Sequence, residues 1–173
     1  AKDLIDDFGF KLSDLEAYFP VSPYDVEKTG TEVHYLGYYI KWHPQDVYYY
    51  SVENSNFMPN EHRTEGSYSK YSSLDDKIDW LHYHTTTIKF GIGRATYDSA
   101  QEIRNGDITR EEGIALIKRF DGEFPQQYIK DCCDYMDITM QQYHDAIEKF
   151  RSPHLWNKVN GVWELKNPIW RGG

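Results

Sequence analysis

The 173-residue chain carries a formal net charge of −9 and has a sequence pI near 5.2, which excludes general affinity for nucleic acid, because that depends on Lys and Arg neutralising phosphates. At this length the chain makes one domain of ordinary size with a real core; only 39% of its residues are hydrophobic, but aromatics at 16% supply large apolar faces. It contains no run of about 18 apolar residues, and its opening, AKDLIDDFGF, has neither a basic n-region nor an apolar h-region, so the expectation is a cytoplasmic protein without membrane insertion.

The chain begins with short helical pieces. Ser13 stands where it can cap LEAYF, and Ser22-Pro23 sets a capping hydroxyl before a proline at a first helical position, with Gly30 as the stop. EVHYLGY, β-branched and aromatic, predicts a strand over 32–38. That strand is an orphan, because the other strand signal lies far downstream and a lone strand leaves its backbone groups unsatisfied.

A helix is expected from Pro44 through QDVYYYSVENSN, followed by the loop FMPNEHRTEGSYS. Ser73 before Leu74-Asp75-Asp76 reads as an N-cap with an acidic first turn and predicts the central helix over 74–90. Gly91 and Gly93 interrupt it. RATYDSAQEIRNG is then helical up to an αL stop at Asn105-Gly106, and Thr109 with Glu112 forms a capping box ahead of Ile114, Leu116, Ile117 and Phe120, a helix that Gly122 ends. Pro125 opens PQQYIKDCCDYM, and Thr139 caps MQQYHDAIEKF. Asn160-Gly161 between Val159 and Val162-Trp163 signals a β-hairpin over 157–165. The expected fold is mainly α: a helical domain over 41–173, the orphan strand near 32–38 and the small C-terminal hairpin.

Chemistry concentrates in residues 61–97, where Arg63, Lys70, Lys77, Lys89 and Arg94 balance five carboxylates. RTEGSYSKYSS places Arg63, Lys70 and five hydroxyls on one loop, a composition able to hold phosphate; the alternative is a solvated loop whose serines make local turn bonds. In KFGIGRAT, Gly91 and Gly93 precede a helix N-terminus flanked by Lys89 and Arg94, so its amides meet an anion or the glycines merely permit close packing. His82 and His84 are two apart and point to different helix faces, so with His62 they make no zinc set. Among the carboxylates Glu65, inside the polar loop, is the one of interest, since Asp75 and Asp76 are accounted for by capping. Tyr48-Tyr49-Tyr50 is either core or a stacking surface. Cys132 and Cys133 are adjacent, and a bridge between neighbours is strained and closes almost no loop, so they read as packing residues on a helix.

The blocks HYLGYYIKWHPQDVYYYSVENSNF, RTEGSYSKYSSLDDKIDWLHY, IKFGIGRATYDSAQEIRNGDITREEGIALIKRFDGEFP and FRSPHLW, in that order over most of residues 32–165, resemble the C-terminal part of the N-acetyl sugar amidotransferases. The resemblance implies a member of the PP-loop ATP pyrophosphatase superfamily that serves lipopolysaccharide and flagellin-glycan biosynthesis and converts an acetamido group of a nucleotide-linked N-acetyl sugar to an acetamidino group. It implies ATP and Mg as cofactors of the full-length protein, with none bound by this piece, and a nucleotide-activated N-acetyl sugar as substrate. It also implies a glutaminase and an ammonia-channel subunit as partners. The family's SGGxDS motif and cysteine-rich leader do not occur here. The resemblance therefore makes residues 1–40 the truncated end of the nucleotide-binding domain, the N-terminal half of the same protein a missing partner, and this chain inactive alone. By the same analogy the phosphate and sugar contacts fall on Arg63, Glu65, Tyr68, Lys70, Lys89 and Arg94, with the catalytic residues unknown and no metal ligand. The rival expectation is a non-catalytic helical interaction domain that docks the ammonia-supplying partner.

Overall fold

Local capping chemistry sets most element boundaries in the computed structural model, which describes residues 2–171. The chain divides into two units, one ending at Trp42 and the other beginning at His43. The first unit holds α1 (Lys2–Phe8), a 3-10 helix (Leu12–Tyr18), α2 (Pro23–Thr29) and α3 (Leu36–Tyr39). Among its described residues only Leu15 is buried. The 3-10 helix starts before Ser13 and is capped instead by Asp14, whose carboxylate accepts the Lys11 N–H at 2.9 Å. Pro23 takes the first position of α2, and Gly30, at φ 63°, ends it.

The strand expected over 32–38 does not form. Residues 31–35 are irregular and 36–39 make one helical turn, in which Tyr38 N–H donates to the Tyr35 carbonyl (2.9 Å) and Ile40 N–H to that of Leu36 (3.0 Å). A strand there would need a neighbour for its ladder groups, whereas the turn satisfies them locally.

The second unit is built from α4 (Pro44–Ser55), α5 (Ile78–Phe90), α6 (Arg94–Asn105), α7 (Arg110–Phe120), α8 (Ile129–Tyr135) and α9 (Met140–Phe150). Pro44, Thr109 and Thr139 act as expected, the two threonines in reciprocal capping boxes with Glu112 and Gln142. Two starts move. The central helix α5 begins at Ile78 rather than Leu74, because Ser73 sits at φ 56° and its hydroxyl bonds Asp79 and Tyr83 instead of a first-turn amide. Helix α8 begins at Ile129, and the residues after Pro125 make only a turn.

Helix α5 is the hub. Its Leu81 and Ile88 join Ile129, Cys132, Cys133, Tyr143 and Ile147 of α8 and α9 in the main core cluster. Both cysteines are thus buried packing residues. Helices α6 and α7 approach closely at Gly113, where an added Cβ would lie 2.8 Å from Ile103 Cδ1. The C-terminal hairpin, β1 (Trp156–Val159) and β2 (Val162–Leu165), pairs Trp156 with Leu165 and Val159 with Val162. Asn160 (φ 49°) and Gly161 (φ 84°) both adopt the left-handed conformation of a type I′ turn. The hairpin is fastened to the helices by two indoles: Trp156 Nε1–H donates to the Ile88 carbonyl (2.8 Å) and Trp163 Nε1–H to Glu148 (2.8 Å). No helix of the described residues is long and apolar enough to cross a membrane.

Candidate functional site

The loop 63–73 is folded inward. Thr64, Ser67, Ser69 and Ser72 are buried, and a buried hydroxyl must find a partner. Thr64 Oγ1 donates to the Ser72 carbonyl (2.8 Å), Ser67 Oγ to Asp98 (2.5 Å) and Ser72 Oγ to Ser69 Oγ (3.2 Å), while Ser69 Oγ accepts the Tyr71 N–H (3.2 Å). With Ser73, whose hydroxyl bonds Asp79 and Tyr83, all five loop hydroxyls are committed within the protein rather than left for phosphate.

Two arginines pin this loop to distant elements. Arg63 grips Glu123 in a fork: Nη1 donates to Oε2 (2.6 Å) and Nη2 to Oε1 (2.5 Å). Nη1 gives its other hydrogen to the Ser67 carbonyl (3.0 Å), and the guanidinium lies over the Phe120 ring. Its Nε–H and second Nη2 hydrogen have no protein acceptor among the described residues. Burial alone would raise the Glu123 carboxyl, but the Arg63 bonds, the Gly66 N–H and the Arg63 charge outweigh it and hold the group below the usual range. Arg94 donates through Nε to Asp98 (2.8 Å) and through its Nη groups to Tyr83 OH and Ser72 Oγ, flanked by the Tyr83 and Tyr97 rings. Asp98 is nonetheless raised, because burial outweighs its bonds from Ser67 and Arg94.

Three other predicted residues surround this network. Tyr68 OH donates to the buried Glu102 (3.0 Å), and burial raises the phenol's pKa. Glu65 accepts the Gln127 N–H (3.1 Å), and burial raises its carboxyl too. Lys70 is exposed and donates to the Glu61 carbonyl (3.0 Å). Lys89, the sixth, is not brought into the network: it is exposed at the end of α5 over the Phe90 ring.

The amides at the start of α6 do meet an anion, and it belongs to the protein. Asp121 accepts Gly93 N–H (3.0 Å) and Thr96 N–H (3.1 Å) and also bonds the Thr96 hydroxyl. Gly93 has to be glycine here, since an added Cβ would fall 2.4 Å from Thr87 Oγ1 and 2.6 Å from Asp121 Oδ1. The turn 121–123 thus joins the polar loop, through Glu123, to a cavity on its other side.

That cavity has a volume of about 470 Å³ and lies between the C-terminal half of α5, the 121–122 turn and the C-terminal hairpin with the residues after it. Its walls include His84, Asp121, Arg151 and the indoles of Trp156, Trp163 and Trp170. His84 is 7% exposed, and its Nδ1 contacts the Glu123 carbonyl at 3.2 Å, which makes Nδ1 the protonated nitrogen. Burial, reinforced by the Arg151 charge, lowers its pKa. Both His84 Nε2 and Arg151 Nε are buried without a hydrogen-bond partner among the described residues. Arg151 Nε lies 3.4 Å from Glu148 Oε1 as an ion pair, and its guanidinium sits over Trp156 and Trp163.

Residues 65–169 match the family model described as LPS biosynthesis protein WbpG-like, C-terminal domain. The chain belongs to this family. The WbpG-like family carries a role in lipopolysaccharide biosynthesis, and the matched span takes in the polar loop from Glu65, the 121–123 turn and most of the cavity wall. No curated protein matches the chain. Within the WbpG-like domain, sequence reasoning singled out the polar loop and missed Asp121, Glu123 and the cavity. One signal was available: three of the five tryptophans, at 156, 163 and 170, fall in the closing stretch.

Proposed function

We propose that this WbpG-like domain is the C-terminal part of an ATP-dependent amidotransferase that converts the acetamido group of a nucleotide-linked N-acetyl sugar to an acetamidino group, with ammonia delivered by a partner glutaminase and its channel subunit. The observation that carries the reading is Arg63, held rigid by Glu123 with its Nε edge unused. A guanidinium fixed in this way offers two parallel N–H groups to a phosphate without further ordering cost. The neighbouring carboxylates neutralise both arginines, so recognition rests on directed hydrogen bonds more than on net positive charge. Lys70 and Lys89, both exposed, supply mobile charge, and Glu65 and Tyr68 face the sugar in this reading. ATP would supply the activation that makes the amide oxygen a leaving group. Among the described residues no group of three or more His, Cys, Asp or Glu could hold a metal ion, and magnesium, which binds through one or two carboxylates together with substrate phosphates, would come with ATP.

The test is turnover of the full-length enzyme carrying Lys70→Ala, Lys89→Ala and Arg63→Lys singly. The lysines contribute at most one surface contact each, so folding is retained, while ATP-dependent turnover falls about tenfold or more for each lost phosphate contact. Unchanged turnover in all three overturns the reading. A second reading, a non-catalytic domain that docks the glutaminase, is favoured by α4, where Val47, Tyr50 and Val52 stand exposed. It requires Tyr50→Ser to abolish glutaminase pull-down while the three cation variants keep it.

A further inference from the structure

A guanidinium presents its donors in a fixed planar fork, so a half-buried arginine with unused N–H groups is shaped for a planar anion. Arg63 and Arg94 spend their Nη groups on Glu123, Tyr83 and Ser72. Arg151, which follows α9 and lines the cavity, does not. Its side chain is 13% exposed, and its Nε turns to Glu148 Oε1 at 3.4 Å. Both Nη groups lack a protein acceptor among the described residues, and unlike Nε they are not enclosed. Glu148 steadies this guanidinium while also accepting the Trp163 indole N–H (2.8 Å), and the Trp156 N–H bond to the Ile88 carbonyl (2.8 Å) fixes the other ring it lies over. The fork is thus oriented before any ligand arrives.

The surrounding charges leave a place for an anion. Glu148 is shared between Arg151 and Lys158. Asp121 is spent on the Gly93 and Thr96 amides and the Thr96 hydroxyl. Glu164 alternates with Trp163 and Leu165 along β2, so its side chain leaves the hairpin face that those two share. Near the rim, Arg171 and Lys118, the latter over the Trp170 ring, have no carboxylate partner among the described residues. Leu165, Pro168, Ile169 and the three indoles make much of the remaining wall apolar. A volume of about 470 Å³ falls in the range of roughly 300–1,000 Å³ typical of small-molecule sites.

We propose that this cavity binds a small hydrophobic carboxylic acid as its anion, with each carboxylate oxygen accepting from one Nη of Arg151 and the apolar body lying among Trp163, Leu165, Ile169 and Trp170. The site uses none of the residues assigned above to phosphate or sugar, so it is independent of the amidotransferase reading.

The experiment titrates the 173-residue chain with 3-phenylpropionate and with its neutral isostere 3-phenylpropionamide, following the indole N–H resonances of the tryptophans. The expected result is saturable shifts at Trp163 and Trp170 with the acid, and binding of the amide at least about tenfold weaker, because the amide forms no charge-assisted pair with the fork. Arg151→Lys keeps the charge, loses the fork and weakens the acid about tenfold. Arg171→Ala, at an exposed position, weakens the acid about twofold and leaves the amide unchanged. Arg151 also packs on two indoles, so the contrast between acid and amide in the unaltered chain decides the assignment even where that variant fails to fold. No saturable shift at millimolar acid overturns the site, and equal affinity for acid and amide overturns the anion assignment.

Discussion

His84 is held neutral by its surroundings. Burial comes first, then the Arg151 and His144 charges, against the Glu123 and Gly122 carbonyls, and together they bring its pKa below the ordinary 6.5. The unfolded chain therefore binds a proton on this histidine at a pH where the folded chain does not. Between the lowered folded value and about 6.5 the unfolded state holds more protons, so stability rises with pH through that window and is lost as pH falls through it. The expected outcome is a thermal midpoint that drops between pH 7 and pH 5 in the unaltered chain and drops less in His84→Phe, measured by circular dichroism in matched low-salt buffers. A slope unchanged by the substitution would remove His84 as the source. The same logic separates the predicted site residues. Composition identified Arg63 and Arg94 as cations worth attention, but not that Glu123 and Asp98 would neutralise them.

Helix α6 draws its N-terminal stabilisation from outside its own sequence neighbourhood, because Asp121 caps it from 28 residues away. Asp121→Ala leaves Gly93 N–H, Thr96 N–H and the Thr96 hydroxyl without that acceptor. The loss should be about 1–2 kcal/mol in urea unfolding, with faster hydrogen exchange at residues 93–97, and Asp121→Asn, which keeps one acceptor oxygen, should recover part of it. Equal stability of all three proteins would show that water replaces the carboxylate at no cost. This cap also marks the limit of what was legible. Pro44, Thr109 with Glu112, Thr139 and Asn160-Gly161 act within four residues of themselves, and each was readable in the chain. The start of α5 and the region 32–38 were not, because Ser73 answers to Asp79 and Tyr83, and because a strand depends on a neighbour that local pattern cannot supply. The cavity is assembled from residues between 84 and 171, and only the late tryptophans hinted at it.

The apolar burial of the molecule is uneven. Among the described residues, Leu15 is the one buried hydrophobic residue of the first unit, and the others, from Trp80 to Ile147, lie in the second. The helices of the first unit run seven, seven, seven and four residues, well below the roughly 12–15 needed for marginal stability in isolation. Cooperative unfolding should therefore be a property of residues 43–173. A chain beginning at His43 is expected to keep the urea midpoint of the 173-residue protein. Its denaturant slope, which scales with the surface exposed on unfolding, should stay close to the original. Amides of residues 2–42 in the intact chain should exchange at rates near those of an unfolded peptide, while those of α5 and α9 exchange only through global unfolding. A midpoint that falls on trimming, or protection of the first-unit amides comparable to that of α5, would mean that residues 2–42 stabilise the folded state. The family match, which begins at residue 65, accords with stability carried by the second unit.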